Sequence, residues 1–140
     1  GRVRIYGAEL AVKFYSGRLS LGVAYAWSGS RIERFPGSPA LEGKTLTYSP
    51  RHTASASLGL KTGPADLSAG WTYKSRQYTL DNNSTSVRGY HELSAAVSRE
   101  LARGVIARVS VDNIFDKRYQ ESTADLAPGR TVTLSAEARF

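Results

Sequence analysis

Thr131-Val132-Thr133-Leu134-Ser135-Ala136-Glu137-Ala138-Arg139-Phe140 alternates without a fault, with Val, Leu, Ala, Ala and Phe on one side and Thr, Thr, Ser, Glu and Arg on the other. Successive side chains of an extended strand point to opposite faces, so this period of two predicts a strand with one apolar and one wet face. Six upstream stretches repeat the pattern. Their apolar sides are Ala8, Leu10, Val12, Phe14; then Leu19, Leu21, Val23, Tyr25, Trp27; then Ala54, Ala56, Leu58, Leu60. They continue as Leu67, Ala69, Trp71, Tyr73; then Leu93, Ala95, Val97; then Val105, Ala107, Val109, Val111. Seven strands are therefore expected, and helical spacing is almost absent.

The links between these stretches take turns in length. Ser16-Gly17, Thr62-Gly63-Pro64 and Ala102-Arg103-Gly104 are short and turn-like, whereas Arg31 to Lys44, Asp81 to Gly89 and Asp116 to Gly129 are long and polar. Short turns at one end and long loops at the other predict an all-β, antiparallel, up-and-down sheet with two different rims. Bacterial outer-membrane barrels have this organisation.

Composition narrows the classes further. The 140 residues suit one domain, and the absence of Cys excludes a disulfide framework, a thiolate metal site and a cysteine nucleophile. Leu, Ile, Val and Phe supply only 30 residues, while Ala supplies 17, Gly 13 and Tyr with Trp 10. That mixture fits a sheet with one greasy face better than an interdigitated core. No uncharged run reaches the length of a spanning helix, and the start, Gly-Arg-Val-Arg-Ile-Tyr, is unlike a signal peptide. With no Met in the chain, it is expected to be a piece of a longer protein.

Alternation alone leaves open whether the apolar face meets a core, as in a lipocalin-like soluble barrel, or lipid. Three features favour lipid. Each stripe spans about 9 to 11 residues, which at a tilt of about 40° covers the roughly 25 Å apolar band of an outer membrane. Tyr25, Trp27, Tyr48, Trp71 and Tyr73 gather toward the long loops, with Phe14, Tyr15 and Phe140 at the other rim, as two interfacial girdles. The opposite face carries Glu9, Lys13, Glu92, Arg108, Asp112, Glu137 and Arg139, which a water-filled lumen solvates and a dry core does not. An odd strand number leaves two open edges, so the seven strands are expected to be part of a larger barrel.

Two C-terminal clusters are more specific. Val109-Ser110-Val111-Asp112-Asn113-Ile114-Phe115-Asp116-Lys117-Arg118-Tyr119, followed by Pro128-Gly129-Arg130-Thr131 and a strand ending on Phe140, resembles the end of TonB-dependent outer-membrane receptors. Gly7-Ala8-Glu9-Leu10 and Ser49-Pro50-Arg51-His52 agree more loosely. The resemblance covers the whole chain in organisation and about 30 residues in motif. It implies that residues 1–140 are the C-terminal portion of a 22-strand barrel, with the plug and earlier strands absent. It further implies uptake of a scarce large nutrient, a ferric siderophore or a cobalamin, with the TonB complex engaged through absent N-terminal regions. A soluble or structural antiparallel β-sheet binding protein is the alternative, and a membrane-barrel hydrolase is a third reading.

The residues themselves suggest roles of different sharpness. Arg31, Arg34, Lys44, Lys74, Arg76 and Arg88 gather at the long-loop rim and upper lumen, where they could meet an anionic metal chelate or cobalamin. They could equally grip lipopolysaccharide phosphates or solvate the rim. Asn113, Phe115, Asp116, Tyr119, Pro128, Gly129 and Arg130 form the motif, with Asn113 and Asp116 expected to make turn bonds and Arg130 to pair with a carboxylate. Phe140 reads both as a girdle ring and, through the resemblance, as the signal recognised by the outer-membrane assembly machinery.

Enzymatic signals are thin. His52 and His91, expected to be structural or lumen-lining, have no ligand spacing around them; there is no G-x-S-x-G elbow and no phosphate cradle, so neither catalysis nor a cofactor is expected. The net charge of +7 is dispersed without a continuous stripe, which speaks against nucleic acid.

Overall fold

A computed structural model describes residues 1–138. Seven strands form one antiparallel sheet: β1 (Arg2–Ser16), β2 (Leu19–Arg34), β3 (His52–Lys61), β4 (Asp66–Lys74), β7 (Tyr90–Ala102), β8 (Val105–Asp112) and β9 (Thr131–Ala138). Each pairs with its neighbours in chain order. The loop from β4 to β7 carries a further two-stranded hairpin, β5 (Gln77–Tyr78) and β6 (Ser86–Val87), and a single 3-10 turn, Pro39–Leu41, lies in the loop after β2. The three short turns each contain a glycine at positive φ, Gly17, Gly63 and Gly104, a region that L side chains enter at a cost.

The register carries the alternation across the whole sheet. Directly opposed residues of an antiparallel pair share a face. Val12, Val23, Ala56, Trp71 and Leu93 follow one another across β1, β2, β3, β4 and β7. Val97, Val109 and Leu134 continue across β7, β8 and β9. Leu21, Val23, Leu58, Val109 and Leu134 therefore lie on one face, as the pattern predicts. Glu9, Lys13, Glu92, Arg108, Asp112 and Glu137 lie on the other. Between those charges the polar face is built of small residues: a Cβ on Gly22 would come 2.6 Å from Ser57 Oγ, and one on Gly70 2.8 Å from Ser94 Oγ.

This sheet has almost no core. Ile32 and Val87 are the buried hydrophobic residues among those described, while Leu10 is 65% and Leu134 76% exposed. Both faces stand open, with β1 and β9 exposed along their whole length; of the two, the continuous apolar face is the one that suits lipid.

Three features differ from the sequence reading. β1 and β2 run further than the apolar stripes, so Arg31 and Arg34 belong to β2 and the first long loop begins after Arg34. The extension inverts the phase of the stripe: Arg4 opposes Arg31 on the face that is apolar below, and Val3 opposes Ile32 on the lumenal face, with a bulge at Arg2/Val3. Tyr15 opposes Ser20 on the polar face and so does not join Phe14 in a lower girdle, because adjacent strand residues point opposite ways. Tyr48 sits in the loop before β3, donating its N–H to the Tyr78 carbonyl at 2.8 Å, above the aromatic belt. Arg139 and Phe140 lie outside the described residues.

Candidate ligand-facing rim and upper lumen

The apolar face ends in an aromatic belt toward the long loops. Tyr6 and Trp27 meet edge to face at 5.6 Å, Tyr25 stacks on His52 at 6.1 Å, and Trp71 stacks on Tyr73 at 6.3 Å. His52 opposes Trp27 and His91 opposes Tyr73, so both histidines belong to this apolar-side belt and neither lines the polar face. The Tyr25 hydroxyl and His52 Nδ1 are 2.7 Å apart, which gives the tyrosine a polar partner at an interface where one end of the ring is wet.

The three loops pack on one another above this belt. Ser30 and Ser28 point to the polar side of β2, where Ser30 Oγ accepts the Leu46 N–H at 3.1 Å and Ser28 Oγ donates to the Pro50 carbonyl at 3.2 Å. Asn83, at positive φ in the second loop, clasps Thr45 in the first, accepting its N–H at 2.7 Å and donating to its carbonyl at 2.8 Å.

The third loop is held from within and from the side. Asn113 is 3% exposed and left-handed (φ 50°); its carboxamide accepts the Lys117 N–H at 2.9 Å and donates to the carbonyls of Lys117 at 2.9 Å and Pro128 at 3.2 Å. Asp116, also left-handed, accepts the backbone N–H of Arg130 at 2.8 Å. Arg130 therefore meets a carboxylate through its backbone, where the sequence suggested a paired guanidinium. Gly129 lies against the same carboxylate, with room for no Cβ: one would stand 2.8 Å from Asp116 Oδ1. Phe115 is exposed.

Side anchorage comes from an inner-face cluster that the sequence reading did not assemble. Tyr119 stacks on Tyr90 at 3.9 Å and donates its hydroxyl to Glu92; Tyr90 in turn donates to Glu121. Lys74 Nζ lies 3.1 Å from Glu121 Oε1, and Gln77 Nε2 donates to the Glu121 carbonyl at 2.9 Å. Burial, then the Glu92 carboxylate, pushes the Tyr119 phenol well up. The hydrogen bond from Tyr90, then that from Lys74, holds the Glu121 carboxyl below its usual range. Tyr90 and Glu92, two residues apart at the start of β7, share the polar face, a spacing from which half of this cluster was legible.

The six basic residues grouped by the sequence fall into different places. Lys74 ends β4 on the polar face, tied to Glu121. Arg76 lies over the Tyr78 ring at 5.6 Å, and Arg88 lines an open cleft of about 490 Å³ with Tyr90, Lys117 and Tyr119. Lys44 joins the first loop to β2 through its carbonyl, which accepts the Ile32 N–H at 2.9 Å. Arg31 opposes Arg4 on the same face as Trp27, so it looks away from the lumen, and Arg34 opposes Arg2 at the strand end.

An apolar face ending in an aromatic belt, a polar face of small and charged residues, short turns at one rim and packed loops at the other define a transmembrane β-barrel wall. The chain belongs to the TonB-dependent receptor-like β-barrel family, whose model matches residues 1–114. It is 30% identical to the ferrioxamine B receptor of Salmonella typhimurium over 85% of this chain and 18% of the receptor. It is 28% identical to the TonB-dependent heme receptor A of Haemophilus influenzae over 97% of this chain and 20% of that protein. Among solved structures, the siderophore receptor PiuA of Acinetobacter baumannii superposes with a TM-score of 0.87 at 19% identity, over 99% of this chain and 22% of its own. The chain thus spans about a fifth of the length of these relatives. The family is one of transport receptors, and membership places the chain in the outer membrane of a Gram-negative bacterium.

Proposed function

We propose that residues 1–140 are the C-terminal wall segment of an active-transport receptor for an anionic iron chelate of the ferric siderophore class. The observation that carries this is basic groups set beside rings at the long-loop end of the wall: Lys74 over Tyr90, Arg76 over Tyr78, and Arg88 in one cleft with Tyr90 and Tyr119. Such a surface suits a bulky anion whose organic shell stacks on rings while its charge meets guanidinium groups. The named relatives, receptors for ferrioxamine B, heme and a siderophore, support iron over cobalamin.

On this reading the segment has no catalytic role and binds no nucleic acid; TonB acts through parts of the receptor outside these residues. The wall's partners are outer-membrane lipid and lipopolysaccharide, and Phe140 serves the assembly machinery. Titration of the full-length receptor with ferric siderophores, heme and cobalamin across a salt series tests it. Saturable binding of an iron chelate, weakened and made less salt-sensitive by Arg76→Gln with Arg88→Gln, is expected. Binding of cobalamin alone, or of no chelate, overturns it.

A further inference from the structure

The third loop lays a carboxylate on the cation that the polar face offers to an incoming anion. Lys74 shares a row of that face with Thr53, Ala26 and Glu9, and Tyr90 opposes it from β7. Its Nζ lies 3.1 Å from Glu121 Oε1 and 5.7 Å from the centre of the Tyr90 ring, while the Tyr90 hydroxyl donates to the same carboxylate oxygen. Gln77 Nε2 donates to the Glu121 carbonyl at 2.9 Å, so groups from β4, β5 and β7 converge on one loop residue. Tyr90 first and Lys74 second hold the Glu121 carboxyl below its usual range, so it is charged at neutral pH. The finger that carries it is closed on itself. The Ala127 N–H meets the Tyr119 carbonyl at 3.0 Å, and Ser122 Oγ accepts the N–H groups of Ala124 and Asp125 at 3.1 Å, so the finger moves as a unit.

An open hollow of about 290 Å³ lies on the polar face beside Lys74, floored by Ala24, Ala26, Thr53, Ser55 and Thr72. Side chains this small leave room for an organic body, and Lys74 stands at the edge to meet its charge. Glu9, the acid on the far edge, is three strands away in the same row, about 14 Å. Glu92 is taken by the Tyr119 hydroxyl. We infer that Lys74 and the Tyr90 hydroxyl form a subsite for an anionic oxygen of the carried chelate, and that Glu121 fills it as a built-in surrogate which the chelate displaces, loosening the third loop. An ammonium and a phenol hydroxyl on one carboxylate oxygen are the donors that a ligand's carboxylate or catecholate oxygen would use. A ligand shifts an equilibrium only by its preference for one state, and an anion prefers the state in which Lys74 is free. The loop is thus an internal competitor, and affinity for anions is lower than the cations alone would set.

This inference rests on the transport reading and names a subsite and its regulation. The experiment uses the full-length receptor with a spin label at Ala124→Cys and no other cysteine, titrated with a ferric tris-catecholate, with a neutral ferric trihydroxamate and with citrate alone. Glu121→Gln keeps the shape and removes the charge. It is expected to tighten binding of the tris-catecholate about fivefold, the weight of an exposed ion pair, and to leave the trihydroxamate unchanged. Lys74→Gln should weaken the tris-catecholate, and Glu121→Gln added to it should bring no tightening, whereas mere repulsion by Glu121 would persist there. In the wild type the label should gain mobility as the tris-catecholate saturates the receptor. Unchanged or weaker tris-catecholate binding by Glu121→Gln, equal tightening of both chelates, tightening that survives Lys74→Gln, binding of the trihydroxamate alone, or a label that slows on saturation overturns the surrogate role. If neither chelate binds, the siderophore reading falls by itself and citrate decides the subsite. Label mobility that rises with citrate and not with sodium chloride of equal ionic strength supports it; no response, or an equal one, overturns it.

Discussion

Tyr90, at the start of β7, and Tyr119, in the third loop, are far apart in sequence, yet their rings stack at 3.9 Å with planes 16° apart, and this contact ties the third loop to the inner face of β7. The stack is worth about 0.5 to 1.5 kcal/mol beyond the area it buries. Tyr119→Ala should therefore loosen the loop without touching the membrane-spanning strands. Hydrogen exchange in the full-length receptor is expected to speed up over residues 117 to 127 and stay unchanged in β8 and β9. Uniform loss of protection would mean that the stack supports the wall itself.

The acid end of the same cluster gives a pH dependence with a definite sign. Glu121 is held below its ordinary pKa by the hydrogen bond from Tyr90 and then by that from Lys74, so its contribution is present above the ordinary carboxylate value. It is lost as the pH falls through the lowered one. The group is largely exposed, so solvent screening keeps the effect small. The segment has no cysteine, and a spin label at Ala124→Cys in an otherwise cysteine-free receptor can follow the loop. A small rise in its mobility is expected, and only in acid; Glu121→Gln should give that small rise at neutral pH and flatten the response.

Asn113 and Asp116 call for a different test, because both hold positive φ and both bond across the loop. Asn113→Ala removes three bonds at a buried position and leaves a left-handed residue without its side-chain bonding. The local cost is about 2 to 3 kcal/mol. Asn113→Gly relieves the backbone term alone and should recover part of it. Trypsin cleavage after Lys117 and Arg118 measures the opening: fast in Ala, intermediate in Gly, slow in the wild type. Equal rates in all three would assign the residue no structural part in the loop.

The sheet was legible because one rule, the period of two, acts on every membrane-depth residue at once, and lipid penalises any exception. Above the belt that rule lapses. Arg2 to Tyr6 and Ser28 to Arg34 continue the strands with the phase inverted: Arg4 and Arg31 stand on the face of the apolar stripe and Val3, Ile5 and Ile32 on the lumenal one, so these residues drop out of the stripe that the alternation follows. Charge alone groups Arg31 with Arg76 and Arg88, although the β1–β2 register puts Arg31 on the face of Trp27, away from the lumen. The Tyr90, Tyr119 and Glu121 cluster joins a strand end to a distant loop, a contact that spacing cannot supply. Asn113 and Asp116 were visible as turn formers, since short polar side chains at a strand exit have few other tasks.

The facing assignment itself can be tested on one strand. Leu134 opposes Val109 on the apolar face, and Thr133, its neighbour, opposes Ser110 on the polar face. Arginine near the middle of the lipid band costs about 2 to 4 kcal/mol because its charge must leave water, while the same side chain in a solvated lumen keeps its hydration. Thr133 is a fairer control than Ser135, which opposes Arg108 and would add like-charge repulsion to the comparison. Leu134→Arg and Thr133→Arg are to be compared by denaturant titration of the refolded full-length barrel. A large loss at 134 with a small one at 133 is expected; equal losses would mean that both faces of β9 are equally dry, and the lumen would then have to lie elsewhere.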